Sequence, residues 1–440
     1  MLDSEFHISS DATACLVSIV CPNFEYHKTA DDTERSLGEL RELMRTLEID
    51  SLDEFVQNRK NIDPATILGS GKIEEIAQEA KDLGASLLVF DFELTASQIR
   101  NIKKISGISV VDRCHIILEI FARHARTKEA KIQIEISRLN YILPRLSGFW
   151  SHLGRQKGGI GVRGGEGEQQ IELDRRIIRS RIEYYKKELK EVEKARKERK
   201  KNRGNYAVTA ALVGYTNAGK SSLMNRLCRV DILEQDKLFA TLDSTYRTLN
   251  PDSKPKMILI DTVGFISNLP SFLIEGFKTT LESALEADLL INVCDLSDPN
   301  FKKHLEVTNE VLKELKVGDK PQIIVFNKKD KITDPYLVPL TKRLYPGSFV
   351  ISSFDKSDVN SLREHIINFL LDQQDHYDLF VPYDQGEAHS IILGKTNVIK
   401  SISHEKGVFY RIRIPDFIFN QLGIKPYILR PDDPLLEDLE

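Results

Sequence analysis

GYTNAGKS, residues 214–221, is the stretch that decides the fold of the middle of this chain. It continues the apolar run AVTAALVG and opens the amphipathic run KSSLMNRL, so the pattern G-x-x-x-x-G-K-[ST] lies between a predicted strand and a predicted helix. Backbone N–H groups of such a loop turn inward onto phosphate oxygens, and the helix N-terminus adds a positive dipole end. The stretch therefore predicts a P-loop in a doubly wound, mostly parallel α/β layer.

Two side chains of this loop have specific predicted roles. We expect Lys220 to contact the β- and γ-phosphates of a nucleotide and the Ser221 hydroxyl to bind Mg²⁺. The predicted nucleotide-binding residues of the loop are Gly214, Tyr215, Thr216, Asn217, Ala218, Gly219, Lys220, Ser221 and Ser222.

Three further motifs follow after apolar runs, in the order expected of a GTP-binding domain. In DTVGF (261–265), Asp261 can hold the water shell of the metal and Gly264 can meet the γ-phosphate. In NKKD (327–330), the Asp330 carboxylate can accept from both the ring N–H and the exocyclic amine of guanine, an arrangement that adenine does not present. SSF (352–354) completes the predicted base site. The nucleotide-binding residues predicted from these motifs are Asp261, Thr262, Val263, Gly264, Asn327, Lys328, Lys329, Asp330, Ser352, Ser353 and Phe354.

The first 115 residues alternate apolar runs with helical patterns. ACLVSIVC, SLDEFVQ, SLLVFDF and ISVVD are predicted strands, and TERSLGELRELMRTL, KIEEIAQEAKDL and TASQIRNIKKI are the predicted helices between them. Such alternation is typical of a parallel sheet. GSGK at 69–72 lacks the four-residue gap of a P-loop, so we interpret it as a strand-to-helix turn, with a second nucleotide site as the alternative. Residues 1–115 are predicted to form an N-terminal α/β domain.

Two long helical patterns then predict an antiparallel helical arm within residues 116–205. The first has apolar residues at spacings of 4, 3 and 4 from Ile132, and the second at spacings of 4, 3, 4 and 3 from Ile178, as for a helix that packs on one partner. Pro144 ends the first pattern, because the residue before a proline is pushed out of helical conformations. The connector of roughly 25 residues is far longer than the about 2–8 that helix pairs usually need. It contains GRQKGGIGVRGGEGEQQ (154–170), predicted to be a glycine-rich tip loop whose glycines allow close approach to an RNA surface.

The returning helix is strongly basic. Residues 175–203 hold 14 Lys or Arg against 5 Asp or Glu, in a chain whose formal net charge is −4. One interpretation is a solvated charged helix that ends in a linker. The other is a surface for nucleic acid, because a polyanion neutralised by clustered Lys and Arg releases its counterions.

The remaining sequence indicates the other domains and the cellular compartment. A chain of 440 residues is long for one core and predicts roughly three domains. Residues 206–372 are predicted to form the GTPase domain, and 373–440 a small C-terminal domain that is β-rich or α+β.

There is no signal-peptide pattern and no apolar run of the roughly 18 residues that a spanning helix needs. The cysteines are scattered and indicate a reduced cytosolic protein without a disulfide frame or zinc site: Cys15, Cys21, Cys114, Cys228 and Cys294.

Taken together, these features resemble the HflX family of translational GTPases, within the larger P-loop group related to Obg. The resemblance covers residues 15–372 and rests on GSGKIEEI, DFELTASQIRNI, VVDRCHIILEIFARHARTKEAKIQIE, LPRL, GGIG…GEGE…IELDRR, GYTNAGKSSLMNRL, LFATLD and DTVGF. The order of the N-terminal pieces ahead of a GTPase domain is its most specific part, since many families share the GTPase motifs.

The resemblance implies further roles around the nucleotide. LFATLDSTYR matches the switch I of the family, so Thr241 is expected to complete Mg²⁺ coordination together with Ser221. Phe265 occupies the position where Ras-like enzymes place a catalytic Gln, and an apolar side chain cannot orient the attacking water, so slow intrinsic hydrolysis is expected. Asn217 matches an asparagine that some such GTPases use to hold K⁺. The expected switch I contacts to the nucleotide are Phe239, Ala240, Thr241, Leu242 and Asp243, and the expected catalytic residues are Lys220, Asn217 and Gly264.

HflX proteins bind the large ribosomal subunit and can split stalled ribosomes. By resemblance, this chain is expected to be a cytoplasmic monomer whose arm approaches the peptidyl-transferase centre and whose basic flank meets ribosomal RNA. The RGPGET segment of the family reads GGEGEQ here, and the carboxylate of Glu166 in place of the proline disfavours phosphate contacts at that point of the tip. The expected ribosome contacts are Arg155, Lys157, Arg163, Arg175, Arg176 and Arg179.

Two other functions remain open at this point. A GTPase module can drive RNA modification or ribosome assembly; modification would need a catalytic cysteine, a flavin or a carrier site, and the sequence indicates none. Alternatively, the arm can be a coiled-coil docking face for a protein regulator. Affinity measured at increasing salt concentration distinguishes an RNA-binding arm from a protein-docking arm. Binding to RNA weakens steeply as ionic strength rises, whereas binding to a protein responds far less.

Overall fold

The computed structural model describes residues 8–9, 11–24, 27–146, 165–202, 207–229, 238–239, 245–267, 273 and 286–429. By its contacts the chain divides into two compact units. The first unit comprises Met1–Glu193, Gln235–Asp243 and Ile266–Thr279, and the second comprises Lys194–Glu234, Ser244–Phe265 and Thr280–Glu440. Two short segments of the predicted GTPase domain thus belong with the N-terminal part of the chain. The exact boundaries of the four domains remain predictions.

The first unit begins with a four-stranded parallel sheet in the order β2-β1-β3-β4. Its strands are β1 (Thr13–Val20), β2 (Asp50–Asn58), β3 (Leu87–Phe90) and β4 (Ser109–Asp112). The helices between and after them are α1 (Ala30–Thr46), α2 (Ser70–Asp82), α3 (Ala96–Ser106) and α4 (Arg113–His124). The predicted alternation of strands and helices is confirmed. A buried parallel sheet explains why β1 and β3 are nearly continuous apolar runs.

Local signals in the sequence fix several helix ends in this unit. Thr95 and Gln98 form a capping box at the start of α3, and Gly107 ends that helix in a left-handed conformation with φ 67°. The GSGK stretch is a loop-to-helix turn: Gly69 lies at the start of α2 with φ 89°, and Arg59 donates a hydrogen bond to the Leu68 carbonyl beside it. The interpretation of GSGK as a turn therefore agrees with the structure.

The arm consists of α5 (Lys128–Ile142) and α6 (Gly165–Asn202). The two helices run antiparallel, with Lys128 at the start of α5 bonded to Glu188, far along α6, at 2.7 Å. A 3₁₀ turn at Leu143–Arg145, which contains Pro144, ends α5 as expected. Since α6 already begins at Gly165, the last six residues of the glycine-rich run are helical, and the predicted tip loop ends earlier than 170. The rest of that run lies outside the described residues.

The expectation that α5 packs on one partner only is wrong. Ile132, Ile136 and Leu139 are buried as the spacing predicts, but Ile134 and Tyr141 are buried as well. The reason is that α5 also packs against α4, so it is enclosed on more than its α6 side. In α6 the narrow pattern holds better, because burial concentrates at Ile178 and Ile182 among charged neighbours.

The second unit contains a six-stranded sheet in the order β10-β9-β8-β5-β7-β6. All neighbouring strands are parallel except β6, which pairs antiparallel with β7 at the edge and was not predicted. The strands are β5 (Ala207–Gly214), β6 (Thr245–Asn250), β7 (Lys256–Asp261), β8 (Leu289–Asp295), β9 (Gln322–Asn327) and β10 (Phe349–Val350). The helices are α7 (Lys220–Leu227), α8 (Phe301–Glu314), α9 (Leu337–Leu344) and α10 (Lys356–Asp372). The predicted doubly wound layer is confirmed.

The C-terminal part of the second unit is a three-stranded antiparallel sheet in the order β11-β13-β12. It comprises β11 (Asp375–Pro382), α11 (Gly386–Lys395), β12 (Asn397–His404), β13 (Gly407–Ile414) and the short α12 (Asp416–Phe419). Its own apolar core includes Leu379, Ile392 and Ile412. Lys254 Nζ donates to the Leu393 carbonyl at 2.6 Å and so ties α11 to the loop before β7. Among the described residues, no helix combines the length and apolar character that crossing a bilayer requires.

Candidate functional site

The P-loop follows β5 and leads directly into α7. Lys220, at the first turn of α7, is 7% exposed, and its Nζ donates to the carbonyl oxygens of Gly214 at 3.1 Å and Tyr215 at 2.8 Å. Burial lowers the pKa of Lys220 to about 8, whereas the Asp261 carboxylate acts in the opposite direction. The loop thus holds a cation where its chain turns, the arrangement that phosphate binding requires.

Oxygen donors suited to Mg²⁺ lie beside this lysine. The Ser221 hydroxyl donates to Asp261 Oδ2 at 2.7 Å, which joins the start of α7 to the end of β7. A hydroxyl and a carboxylate are the hard ligands that Mg²⁺ prefers, directly or through water, so the residues present fit this ion. Thr241, the third residue expected at the metal, lies outside the described residues.

The DTVG segment packs directly onto the P-loop. Thr216 N donates to Phe265 O at 2.7 Å, and Phe265 N donates to Gly214 O at 3.1 Å. A Cβ on Gly264 would lie 2.8 Å from Lys220 Nζ and 2.8 Å from Thr216 Cα, so only glycine fits. Phe265 itself is buried, so its ring cannot orient a water molecule for attack on a phosphate.

Asn327 connects the base-binding motifs to the P-loop. Its Nδ2 donates to Ala218 O at 3.0 Å, and its Oδ1 accepts from Ser353 N at 3.1 Å and from Ser353 Oγ at 2.8 Å. A Cβ on Gly219 would lie 2.4 Å from the same Nδ2. The side chain is 1% exposed, so Asn327 holds three loops in fixed positions.

The carboxylate that should recognise guanine is held at the edge of these loops. Asp330 is exposed, and its Oδ1 accepts a hydrogen bond from Ser352 Oγ. Lys328 has φ 62° and its Nζ lies 2.7 Å from Asp295 Oδ2, which fixes the lysine stem beside the site. Phe354 is 65% exposed and is available to cover a planar ligand.

The structure brings together most of the predicted nucleotide site. The P-loop, DTVG, NKKD and SSF motifs meet through the hydrogen bonds above, with Ser222 in the first turn of α7, Thr262 bonded to Leu212 O at 2.7 Å and Val263 buried. Lys329 pairs with Asp358, which also accepts from Ser352 N. Phe239 belongs to the first unit, where its ring packs edge-on against Phe121 at 4.7 Å between centroids. Ala240, Thr241, Leu242 and Asp243 lie outside the described residues.

The predicted ribosome contacts are only partly described. Arg175, Arg176 and Arg179 lie on α6; Arg176 and Arg179 are exposed, whereas Arg175 pairs with Glu172 at 3.6 Å. Arg155, Lys157 and Arg163 fall in the segment that the structure leaves undescribed.

Three residues that support the site were not predicted. Asp295 and Asp358 orient Lys328 and Ser352, the latter through a hydrogen bond from Ser352 N to Asp358 Oδ2 at 2.9 Å. His304 of α8 stacks face to face on Tyr215, with ring centroids 3.9 Å apart. Asp295 was detectable as a carboxylate that ends a buried strand, but the stacking of His304 depends on how α8 packs, which no local pattern reveals.

Models of three protein families match consecutive parts of this chain. Residues 34–122 match the GTP-binding GTPase N-terminal family, 124–203 the GTP-binding GTPase middle region and 209–328 the 50S ribosome-binding GTPase family. The first match begins within α1, and the second covers the arm.

Curated relatives extend over most of the chain. The GTPase HflX of Alkalihalophilus pseudofirmus is 39% identical over 369 residues, covering 84% of this chain and 86% of the relative. The GTPase HflX of Flavobacterium psychrophilum is 46% identical over 315 residues, covering 72% of this chain and 75% of the relative. Among solved structures, a GTP-binding protein of Sulfolobus solfataricus in complex with GDP is 27% identical, with a TM-score of 0.42 over 82% of this chain and 98% of that one. Since these matches cover most of the chain at 39–46% identity and agree with the motif geometry, the chain belongs to the HflX family of GTPases.

Proposed function

We propose that this GTPase uses Mg²⁺-dependent GTP binding to dock its arm on the large ribosomal subunit and to split ribosomes. GTP hydrolysis then lets the protein dissociate from the subunit. The observation that carries the GTP part is Asn327, which joins the P-loop at Ala218 to the SSF loop at Ser353 beside Asp330. One residue thereby couples the phosphate end of the site to its base end. The support for the ribosome part is the exposed basic face of α6 together with the match to the 50S ribosome-binding GTPase family.

Each group in the nucleotide site has a proposed role. Lys220 holds the β- and γ-phosphates, Asp330 reads guanine, and Phe354 covers the base. Ser221, with Thr241, holds Mg²⁺, which neutralises charge that develops on the phosphates. Gly264 lets the backbone of DTVG approach the γ-phosphate, because any side chain there would collide with Lys220 or Thr216. The presence of the γ-phosphate then sets the positions of the loops that follow Gly264 and surround Thr241.

Potassium is the proposed replacement for the missing catalytic glutamine. Asn217 has φ 58° and an exposed side chain at the turn of the P-loop, so it is free of the packing that holds Ala218 and Lys220. A monovalent cation held there would add positive charge beside the phosphates. GTP turnover should be faster in K⁺ than in Na⁺ buffer, and Asn217→Ala should remove the difference. Equal rates in the two buffers for the unchanged chain would contradict this role.

The arm is the proposed ribosome-contacting element. The predicted glycine-rich tip loop would enter the subunit, and Arg175, Arg176 and Arg179 would pair with ribosomal RNA phosphates along α6. The protein would act in the cytoplasm as a monomer. Such a contact is compatible with rescue of stalled ribosomes, recycling, storage of idle ribosomes or a late assembly step.

Sedimentation of intact ribosomes through a sucrose gradient tests this function. With the full chain and a non-hydrolysable GTP analogue, the ribosome peak should decrease, the subunit peaks should grow and the protein should travel with the large subunit. With GDP these changes should be small. A variant in which a short serine linker replaces residues 158–167 should retain GTP binding and lose splitting.

Two results would contradict the proposal. Association with ribosomes to the same extent in GDP and in the GTP analogue would remove the role of the nucleotide. Loss of GTP binding in the serine-linker variant would mean that the glycine-rich run belongs to the nucleotide site after all.

A further inference from the structure

A groove of about 500 Å³ lies on the stem of the arm, entirely within the first unit. It is formed where the chain turns from α4 into α5 and where α6 passes that turn. We call it the stem groove and define it by its lining residues, Arg126, Lys128, Lys131, Ile132, Glu135 and Tyr185. Its size is that of sites that hold a small organic ligand, which run from about 300 to about 1,000 Å³.

The stem groove carries more positive than negative charge among its lining residues. Arg126, Lys128 and Lys131 are exposed cations, and Glu135 is the carboxylate that faces them. Glu135 lies 4.0 Å from Arg138, so part of its charge is already balanced from outside the groove. Lys128 pairs with Glu188 at 2.7 Å, so its charge is largely offset and Arg126 and Lys131 are the cations proposed to meet the ligand. Such a groove attracts a ligand with at least one phosphate.

An aromatic ring forms part of the wall. Tyr185 is half-buried, and the neighbouring Tyr184 is 62% exposed, with its ring edge-on to Tyr185 at 5.5 Å between centroids. Burial, helped by the Glu135 charge, raises the pKa of the Tyr185 phenol, so its hydroxyl stays neutral and adds no negative charge to the groove. Ile132 adds an apolar surface. Cations beside an accessible aromatic ring are the combination that binds unpaired nucleotides, because the ring stacks on a base while the cations hold the backbone.

We propose that the stem groove holds one unpaired nucleotide of an RNA strand, with its phosphate on Arg126 and Lys131 and its base against Tyr185. This inference deepens the proposed function and rests on it, since it names the form of RNA that the arm recognises. It adds a contact on the α5 side of the arm, whereas the arginines predicted from the sequence all lie in the tip or on α6. A double helix would not fit this arrangement, because its bases are stacked inside and cannot reach Tyr185.

Two kinds of contact make separate predictions. A phosphate contact contributes to the salt dependence of binding, by about 0.7 in the slope of log K against log salt for single strands. A stacked base contributes affinity that does not depend on salt, roughly tenfold for one ring. Removing a cation should therefore lower both the affinity and the salt slope, and removing the ring should lower the affinity alone.

Fluorescence anisotropy with the full chain and a labelled, unstructured eight-nucleotide RNA tests the proposal at several salt concentrations. Lys131→Ala should weaken binding several-fold and reduce the salt slope by about 0.7. Tyr185→Leu should weaken binding roughly tenfold with the slope unchanged, and Tyr185→Phe should restore it because the ring is kept. Lys104→Ala, which removes an exposed cation on α3 that does not line the groove, is the charge-matched control and should bind as the unchanged chain does. Circular dichroism of each variant should match that of the unchanged chain.

Three outcomes would overturn the proposal. The first is equal affinity for Lys131→Ala, Tyr185→Leu and Lys104→Ala. The second is displacement of the RNA by free GMP or AMP at the same concentration as by unlabelled RNA, which would make the groove a mononucleotide site. The third is displacement by an acidic peptide at that concentration, which would make it a protein contact.

The proposed function and the stem groove fail in different experiments. If the unchanged chain splits ribosomes but the groove variants bind RNA normally, only the stem groove is wrong. If the chain neither binds nor splits ribosomes while the groove variants lose RNA binding in the expected pattern, the stem groove stands and ribosome splitting does not.

Discussion

Lys220 holds a positive charge where water barely reaches, and its ammonium is bonded to two carbonyl oxygens of its own loop. Desolvation lowers its pKa from 10.5 to about 8 in the protein without nucleotide. Phosphate oxygens would favour the charged form, so a bound nucleotide should raise this pKa again. Burial of this ammonium therefore costs free energy, which contact with a phosphate would offset.

This shift predicts how nucleotide affinity depends on pH. Below about pH 8 the ammonium is already charged and the affinity for GDP should be nearly constant. Above it, the empty protein has lost the proton and must take one up on binding, so the affinity should fall, by up to about tenfold per pH unit. Isothermal titration calorimetry in two buffers of different ionisation enthalpy should report net proton uptake at pH 8.5 and almost none at pH 7.

Lys220→Arg is the control, because arginine stays charged throughout this range. Any pH dependence left in that variant belongs to other groups, including the guanine ring N–H. GDP affinity that is the same at pH 7 and pH 8.5 in the unchanged chain would show that Lys220 is not the titrating group.

At the scale of single residues, the sequence predicted much of the site and little of its support. Gly264 and Asn327 were identified by motif, and the structure shows that both are in close contact with the P-loop. His304 and Asp358 were missed, because they approach the site through packing of α8 and α10 rather than through spacing along the chain. A motif contains residues that contact a ligand, whereas the residues that orient those side chains lie elsewhere in the chain.

At the scale of elements, Asp112 joins the last strand of the N-terminal sheet to both helices that follow. Its Oδ1 accepts from His115 N at 2.9 Å, which caps α4, and from the Tyr141 hydroxyl of α5 at 2.9 Å. Its Oδ2 accepts from Leu94 N at 3.1 Å and lies 3.5 Å from the buried Arg145. One carboxylate thus fixes β4, α4, α5 and the turn at Pro144.

Replacement of this carboxylate should loosen the base of the arm. Asp112→Ala removes a helix cap and leaves the buried Arg145 with Glu93 as its remaining carboxylate, so we expect a loss of about 3–5 kcal/mol in local stability. Hydrogen–deuterium exchange of the full chain should show faster exchange in α4 and α5. Asp50→Ala, at the exposed start of β2, should change little. Unchanged exchange in α4 and α5 would mean that the carboxylate does not hold these helices.

Helices and strands of the core were predictable, and the exceptions have physical causes. β6 was missed because TYRTLN has few apolar side chains, as an edge strand that is mostly unburied allows. The start of α6 was missed because GEGE combines two glycines, which cost about 1 kcal/mol each in a helix, so the sequence indicates a loop. The enclosure of α5 was missed because its spacing reveals one buried side, whereas α4 covers another.

At the scale of the whole molecule, the order of motifs along the chain predicted the family and the doubly wound layer, and the comparisons agree. The division into two units could not be predicted in this form. Gln235–Asp243 and Ile266–Thr279 lie inside the GTPase segment by sequence but belong to the first unit by contacts. The chain therefore leaves the second unit twice and returns twice, once on each side of β7. Only long-range packing decides such an assignment.

The cysteines of this molecule make it suitable for site-specific dye labelling. Cys15, Cys21, Cys114 and Cys294 are buried and Cys228 is half-buried. Burial raises the pKa of Cys228 to about 11 and of Cys294 to about 12, and that of Cys114 well above its usual range, so these thiols scarcely ionise at neutral pH. A maleimide should thus prefer one cysteine introduced on the exposed face of the arm, with all the native ones kept. Pairs of such labels would let energy transfer between fluorophores follow the arm during a single cycle of nucleotide binding and hydrolysis.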